Sequence, residues 1–309
     1  MEHINLKRYI RERMDQVTGV GKNITYRRPA GQPAVRYNWM APILLSPHNP
    51  ETVYHGANVL LRSTNRGESW TEISPDLTVN DSLRRNGSGN IQFATITTVD
   101  ESPIVPGVFW VGTDDGNVQL SKDAGRTWTN LRDRITGHPG YWVSRVIASK
   151  HDPAVAYVSV TGLRNDDFRP LVWRTADYGQ TWTSIAGNLP NEAINVIRED
   201  ARNPSLLFVG TDMGLFTSID AGRSWTRMKN RIPTNPVHDL QIHPRDNEII
   251  VGTHGRGIFI GDITPLQGMT PAMLAAPAHR KLWLAGRMKR DEYNGGNAAE
   301  MHLEDAAVA

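Results

Sequence analysis

Apolar and polar residues alternate in short runs along most of the chain: TVYHG at 52–56, VFWVGT at 108–113, AYVSVTG at 156–162, LLFVGT at 206–211 and EIIVGT at 248–253. A period of two marks strands with one packed face, and the Gly, Pro, Asn and Asp residues between runs mark turns. The runs recur in phase. Each follows a Pro-marked turn (SPHNPETVYHG, SPIVPGVFWVG, KHDPAVAYVSV, DARNPSLLFVG, HPRDNEIIVG), and four are followed by an eight-residue segment ending in Trp: STNRGESW, SKDAGRTW, TADYGQTW and SIDAGRSW. The closing tryptophans, Trp70, Trp128, Trp182 and Trp225, are spaced by 58, 54 and 43 residues, near the 40 to 50 residue period of blade repeats. Each unit reads as four short strands, and the last, VHDLQIHPRDNEIIVGTHGRGIFIGDI, as three strands without a Trp segment. The pattern predicts an all-β fold, a β-propeller of about five four-stranded blades, with a complete ring, an incomplete ring and part of a larger propeller as the alternatives.

The Trp segments fall at the turn from third to fourth strand. Gly67, Gly125, Gly179 and Gly222 stand where a positive φ is cheap, and Asn65, Asp123, Asp177 and Asp220, two residues earlier, can accept backbone N–H bonds of their own turn. Burying an indole removes about 150 to 250 Å² from water, a gross gain on the order of 4 to 6 kcal/mol. A catalytic carboxylate is rarely needed in four near-copies, so these residues are expected to brace the blades.

The motif Ser/Thr-x-Asp-x-Gly-x-Thr/Ser-Trp is similar to the Asp-box, or bacterial neuraminidase repeat. Together with YNWMAPILLSPHNP, RNDDFRP, NVIRED and VHDLQIHPRDNEIIVGTHGRGIFIGDITPL, it makes the span from about Asn38 to Leu266 resemble the bacterial sortilin-like propeller proteins often labelled glycosyl hydrolases. The resemblance implies a propeller of more than five blades within a long exported polypeptide, periplasmic or extracellular. By that measure the chain is a fragment or a shortened relative, its ring completed by further blades or a partner chain.

Composition narrows the choice. The chain has 309 residues, no cysteine and a formal charge of +2. Disulfides, thiolate metal sites and a cysteine nucleophile are thereby excluded, and nothing argues for a nucleic-acid partner. Neither a signal peptide nor a membrane span is visible. Residues 1–36 read as a basic, solvated extension whose run INLKRYI is available to add a strand to the last blade. Residues 37–266 read as the blades, and 267–309 as a poorly packed tail.

In a four-stranded antiparallel blade the turn between strands two and three lies on the rim opposite the Asp-boxes. That rim collects TDDGN, TGLRNDDFRP, TDMGL and THGRG, with the starts of the inner strands. Ile43, Val99, Val146, Ile197 and Leu240 align as core. The polar positions next to them vary, and variation at a rim leaves the blades intact. The candidate ligand-binding residues are Trp39 and Trp142, whose indoles suit sugar rings, and Arg145, Arg164, Asn195, His238, His254 and Arg256. Glycoside hydrolysis needs two facing carboxylates, for which Asp114, Asp212, Asp239 and Asp167 are candidates. Asp114 and Asp212 stand in T-D-x-G turns similar to the one that supplies a catalytic Asp in xyloglucanase propellers, although Leu215 replaces its second glycine. Arg231-Ile232-Pro233 is similar to the sialidase Arg-Ile-Pro motif but sits at a repeated blade exit, without an assignable Tyr/Glu nucleophile pair. No cofactor or metal is expected, because phosphate loop, ligand cluster and nucleophile elbow are missing from the sequence. The leading expectation is a module binding polysaccharide or peptide at this rim; the alternative is a glycoside hydrolase.

Overall fold

Each alternating run becomes a strand, and each Gly- or Pro-marked break becomes the turn between antiparallel neighbours. The computed structural model describes residues 2–7, 10–86, 92–228, 232–269, 287–291 and 299–302, with side chains over 12–86, 92–228 and 232–269. An N-terminal sheet holds β1 (Glu2–Lys7), β2 (Ile10–Asp15) and β3 (Gly21–Asn23). The first blade is β4 (Ile43–Leu45), β5 (Val53–Gly56), β6 (Leu60–Ser63) and β7 (Thr71–Glu72), and the second is β8 (Ile96–Glu101), β9 (Phe109–Thr113), β10 (Val118–Ser121) and β11 (Thr129–Asn130). The third is β12 (Trp142–Ala148), β13 (Ala156–Gly162), β14 (Asp167–Thr175) and β15 (Thr183–Ser184), and the fourth β16 (Ile194–Glu199), β17 (Leu207–Thr211), β18 (Leu215–Ser218) and β19 (Thr226–Arg227). The fifth has β20 (Val237–His243), β21 (Glu248–Thr253), β22 (Ile258–Asp262), β23 (Arg287–Asp291) and β24 (Ala299–His302). The fold is all-β, with the five antiparallel blades of a β-propeller. Among the described residues no helix is long and apolar enough to cross a membrane.

The expected use of the N-terminal run is corrected by the pairing. β1 pairs with β2 in its own sheet, and the fourth place of the last blade is taken by β23, bonded to β22 from Ile258↔Asp291 to Gly261↔Met288. Residues 270–286, within the expected tail, lie outside the described residues, as does Arg231.

The chain divides into two compact units, Met1–Ala148 with Asp177–Gln180, and Ser149–Ala176 with Thr181–Ala309. In the first unit the Asp-box turns lie between third and fourth strands, and each presses on the outer strand of the sheet before it. Gly125 (φ +89°) lies against the carbonyl of Ile73, and Trp128 Nε1 donates to that same oxygen at 3.2 Å. Gly67 stands likewise over Ile24, to whose carbonyl Trp70 Nε1 donates at 2.7 Å, and Gly179 stands over Leu131. Ile24 therefore holds the place that Ile73 holds one blade later, and β3 acts as the outer strand of a preceding blade. The basic extension is spent on that seam: Arg13 and Lys22 pair with Glu68, Arg28 with Glu72 at 2.6 Å, and Arg36 with Asp76 at 2.7 Å. A solvated arm was expected. Docking is enforced by Val35, Tyr37 and Ala41, which join Ala57, Val59 and Leu61 in one core cluster.

The box side chains serve their own turns. The Asp123 carboxylate accepts from Thr127 N at 2.9 Å and Thr127 Oγ1 at 2.6 Å, and these bonds hold it down at about 2. Ser121 Oγ accepts from Gly125 N at 2.9 Å, and Asn65 accepts from Ser69 N at 3.0 Å. Arg66, Ala124, Tyr178 and Ala221, each just before the box glycine, also have positive φ near 60°.

In the second unit Trp225 is 4% exposed and donates Nε1 to the Ile185 carbonyl at 2.8 Å, with Gly222 over Ile185 and Asp220 accepting from Ser224 N and Oγ. Trp70, Trp128 and Trp182 are only half-buried, so they gain less than a fully sequestered indole. The core of this unit fills the space between the fourth and fifth blades with Phe208, Leu215, Val237, Leu240, Val251 and Phe259. Close approach of a second strand to the inner strand of the next blade depends on the glycine of the recurring V-G-T: a Cβ on Gly210 of β17 would sit 2.6 Å from Val237 Cγ1 on β20. Buried Glu199 accepts from Lys150 N at 2.7 Å, Tyr157 Oη at 2.9 Å and Ser149 Oγ at 3.0 Å. Replacing Trp225 by Phe keeps most of the burial but strands the Ile185 carbonyl; a loss of about 1 to 2 kcal/mol in denaturant titrations is expected, against about 3 to 5 kcal/mol for Trp225→Ala.

Candidate functional site

On the rim opposite the Asp-boxes the inner strands of the second, fourth and fifth blades carry bulges. Register shifts fall between Ile96 and Thr98, between Ile194 and Val196, and between Val237 and Asp239. The extra residues are Thr97, Asn195 and His238, members of the polar column aligned from sequence. A bulge leaves one residue unpaired and re-aims its side chain. Thr97 Oγ1 accordingly reaches the Val143 carbonyl at 2.9 Å, and Asn195 Nδ2 reaches Asp212 Oδ1 at 2.9 Å.

A second regularity joins this column to the turns between second and third strands. The amide of Asp114 donates to the Thr95 carbonyl, that of Asp212 to Ala193 and that of His254 to Pro236. The three residues therefore hold equivalent places, each beside the residue that precedes an inner strand. What differs is the side chain waiting there. Thr95 donates both its amide (2.8 Å) and its hydroxyl (2.7 Å) to the Asp114 carboxylate, and Asn38 Nδ2 adds a third bond at 3.2 Å. Asp114 is 4% exposed, and burial pushes its carboxyl up to about 6, with the charge of Asp115 adding to the rise and the Thr95 and Asn38 bonds opposing it.

Ala193 has no hydroxyl to give. Asp212 thus keeps the Asn195 bond on Oδ1 while its buried Oδ2 has no hydrogen-bond partner. His238 and His254 stand exposed close by, ring centroids 5.1 Å apart. Partial desolvation and the neighbouring His254 lower the His238 imidazole, against the opposing pull of Asp212. Asn235 binds the His254 carbonyl, and Arg227 donates to the Met213 carbonyl, fixing both turns from below.

The remaining candidates are placed as follows. Asp239 is exposed and receives Arg198 at 3.1 Å. Asp167 opens β14 and is held by Arg169, through Nη2 at 2.6 Å and Nε at 2.9 Å, which lowers its carboxyl. Asp166 beside it adopts φ 53°, and Arg164 and Arg256 are exposed. In the first unit Trp39 is 55% and Met40 63% exposed, on a turn closed by Ala41 N to the Asn38 carbonyl at 3.2 Å. Trp142 and Arg145, on β12, are half-buried. Among the described residues no group of three or more His, Cys, Asp or Glu is placed to hold a metal ion. Sequence reasoning passed over Asn38 and Thr95; the blade-to-blade alternation Thr95, Ala193, Pro236 just ahead of the inner strands was the available signal.

The family model described as Sortilin, neurotensin receptor 3, matches residues 171–263. A xyloglucanase of Paenibacillus sp is 28% identical over 211 residues, covering 60% of this chain and 20% of that protein. An oligoxyloglucan-reducing end-specific xyloglucanase of Emericella nidulans is 27% identical over 173 residues, covering 52% of this chain and 20% of that protein. The chain thus spans about a fifth of the length of these curated relatives. Among solved structures, the GH74 xyloglucanase of Xanthomonas campestris superposes with TM-score 0.55 at 16% identity over 84% of this chain and 44% of that one. YCF48 bound to a D1 peptide gives TM-score 0.53 at 13% identity over 81% and 70%. With its repeated blades, the chain is a β-propeller that is similar to the sortilin model over residues 171–263 and to the xyloglucanases over part of its length.

Proposed function

We propose that the chain is a carbohydrate-binding propeller module that takes a neutral polysaccharide on the rim opposite its Asp-boxes. The observation that carries this reading is Trp39, an indole 55% exposed on a turn built from side-chain hydrogen bonds. An exposed indole on a rigid turn is a stacking platform for a sugar ring, and the kinship with xyloglucanases points to a β-glucan backbone. The Asp-box residues act as braces, since their polar atoms are consumed within their turns and seams.

Glycoside hydrolysis is the second reading, favoured by Asp212, which alone of the four candidate carboxylates retains a buried oxygen without a hydrogen-bond partner. Three features weigh against it. Asp114 is buried under three hydrogen bonds, Asp167 is bound by Arg169, and Asp239 by Arg198. Binding requires no such pair.

Xyloglucan affinity electrophoresis of the wild type, Trp39→Ala and Trp39→Ala/Trp142→Ala tests the reading. Retardation of the wild type, lost in the variants without a fall in thermal midpoint, is the expected outcome. Wild-type release of reducing sugar that Asp212→Asn abolishes would instead establish the hydrolase, and a peptide ligand would leave migration in xyloglucan unchanged throughout. The Asp114 carboxyl gives a pH signature. Its folded value, about 6, exceeds the ordinary 3.8. The folded form therefore holds the proton more tightly, and stability from this group declines as pH rises from about 4 to about 6. Thermal midpoints should show that decline in the wild type and a smaller one in Asp114→Asn, where burial still raises the Asp115 carboxyl.

A further inference from the structure

Beneath Trp39 lies a chain of hydrogen bonds that ends in a buried acid. Met40 N donates to Asn38 Oδ1 at 3.1 Å, which shapes the turn from one side of the Asn38 amide. The other side is fixed too: Asn38 Nδ2 donates to Asp114 Oδ2 at 3.2 Å and to Thr95 Oγ1 at 3.1 Å. Thr95 Oγ1 in turn donates to Asp114 Oδ2 at 2.7 Å, and Thr95 N donates to Asp114 Oδ1 at 2.8 Å. Asn38 is 3% exposed and Asp114 4%, so these bonds are shielded from bulk solvent. The direction of every bond follows from one fact. A carboxylate is acceptor-only, so it must face the NH2 end of Asn38, and the amide oxygen is then forced outward to the Met40 N–H.

We infer that Asp114 is a positioning residue for carbohydrate binding: it orients the Asn38 amide so that the turn presents Trp39 to the ligand. The inference rests on the proposed binding function, and it moves Asp114 from the reacting groups to the support of the platform. The equivalent Asp212 does no such work, because Ala193 and Asn195 stand in place of Thr95 and the supported turn.

In Asp114→Asn the new NH2 opposes the NH2 of Asn38, which must rotate and set a donor against Met40 N–H. Exchange of the two residues, Asn38→Asp with Asp114→Asn, moves the carboxylate to position 38, where it accepts from the amide now at position 114, from Thr95 Oγ1 and from Met40 N together. Two readouts apply to the wild type, Trp39→Ala, Asp114→Asn and the exchanged double variant: dissociation constants for xyloglucan heptasaccharide by calorimetry, and hydrogen exchange at the Met40 amide. Expected are roughly tenfold weaker binding and faster Met40 exchange in Asp114→Asn, with both recovered to within about threefold in the double variant. Wild-type affinity in Asp114→Asn, or an exchanged variant that regains Met40 protection but not affinity, overturns the inference. Trp39→Ala with wild-type affinity overturns the binding function itself, whatever Met40 exchange reports.

Discussion

The contact between each Asp-box and the outer strand of the sheet before it is the constraint on which the blades depend. A glycine in left-handed conformation brings the turn onto one aliphatic residue, and in three of the four boxes the indole that follows bonds the carbonyl of that same residue: Trp70 with Ile24, Trp128 with Ile73 and Trp225 with Ile185. A propeller blade cannot bury both faces alone. The seam gives neighbouring blades a fixed register through the indole N–H, while the carboxylates and hydroxyls of the repeat are consumed within their own turns. A brace of this kind leaves its own rim with little polar chemistry to offer a ligand.

The opposite rim is differently built. Bulges at Thr97, Asn195 and His238 release one side chain from each of three inner strands, and the amide of the turn residue beside each is held by a backbone bond. Blade identity then turns on small substitutions. A hydroxyl at Thr95 converts an aspartate into a buried, saturated anchor, whereas a methyl at Ala193 leaves the equivalent aspartate with an unpaired oxygen next to two exposed imidazoles. The same backbone serves as scaffold in one place and as chemistry in the other.

Much of this was legible in the sequence, for a physical reason. Boxes, V-G-T glycines and Pro-marked turns each need a particular residue at a particular φ or contact, so they recur visibly; the rim column also emerged, because alignment on the turns places Asn195 and His238 together. The bulges did not, since an inserted residue leaves the local alternation nearly unchanged. Nor did the role of Ile24. Its seam partner is Trp70, more than forty residues later, and no Trp segment precedes it to announce a blade; the basic residues around it looked solvated because Glu68, Glu72 and Asp76 become their partners only on folding. The strands β23 and β24 were hidden by a composition rich in Ala, Pro and Met that gives no period.

Brace and recognition surface are separate in this account, and Gly125→Ala separates them experimentally. A Cβ at Gly125 meets the Ile73 carbonyl and strains a φ of +89°. Thermal unfolding and xyloglucan affinity measured on the same sample decide the matter. The account predicts a markedly lower midpoint with unchanged affinity for the protein that remains folded. Unchanged stability with weakened binding would contradict it, by placing ligand recognition at the Asp-boxes.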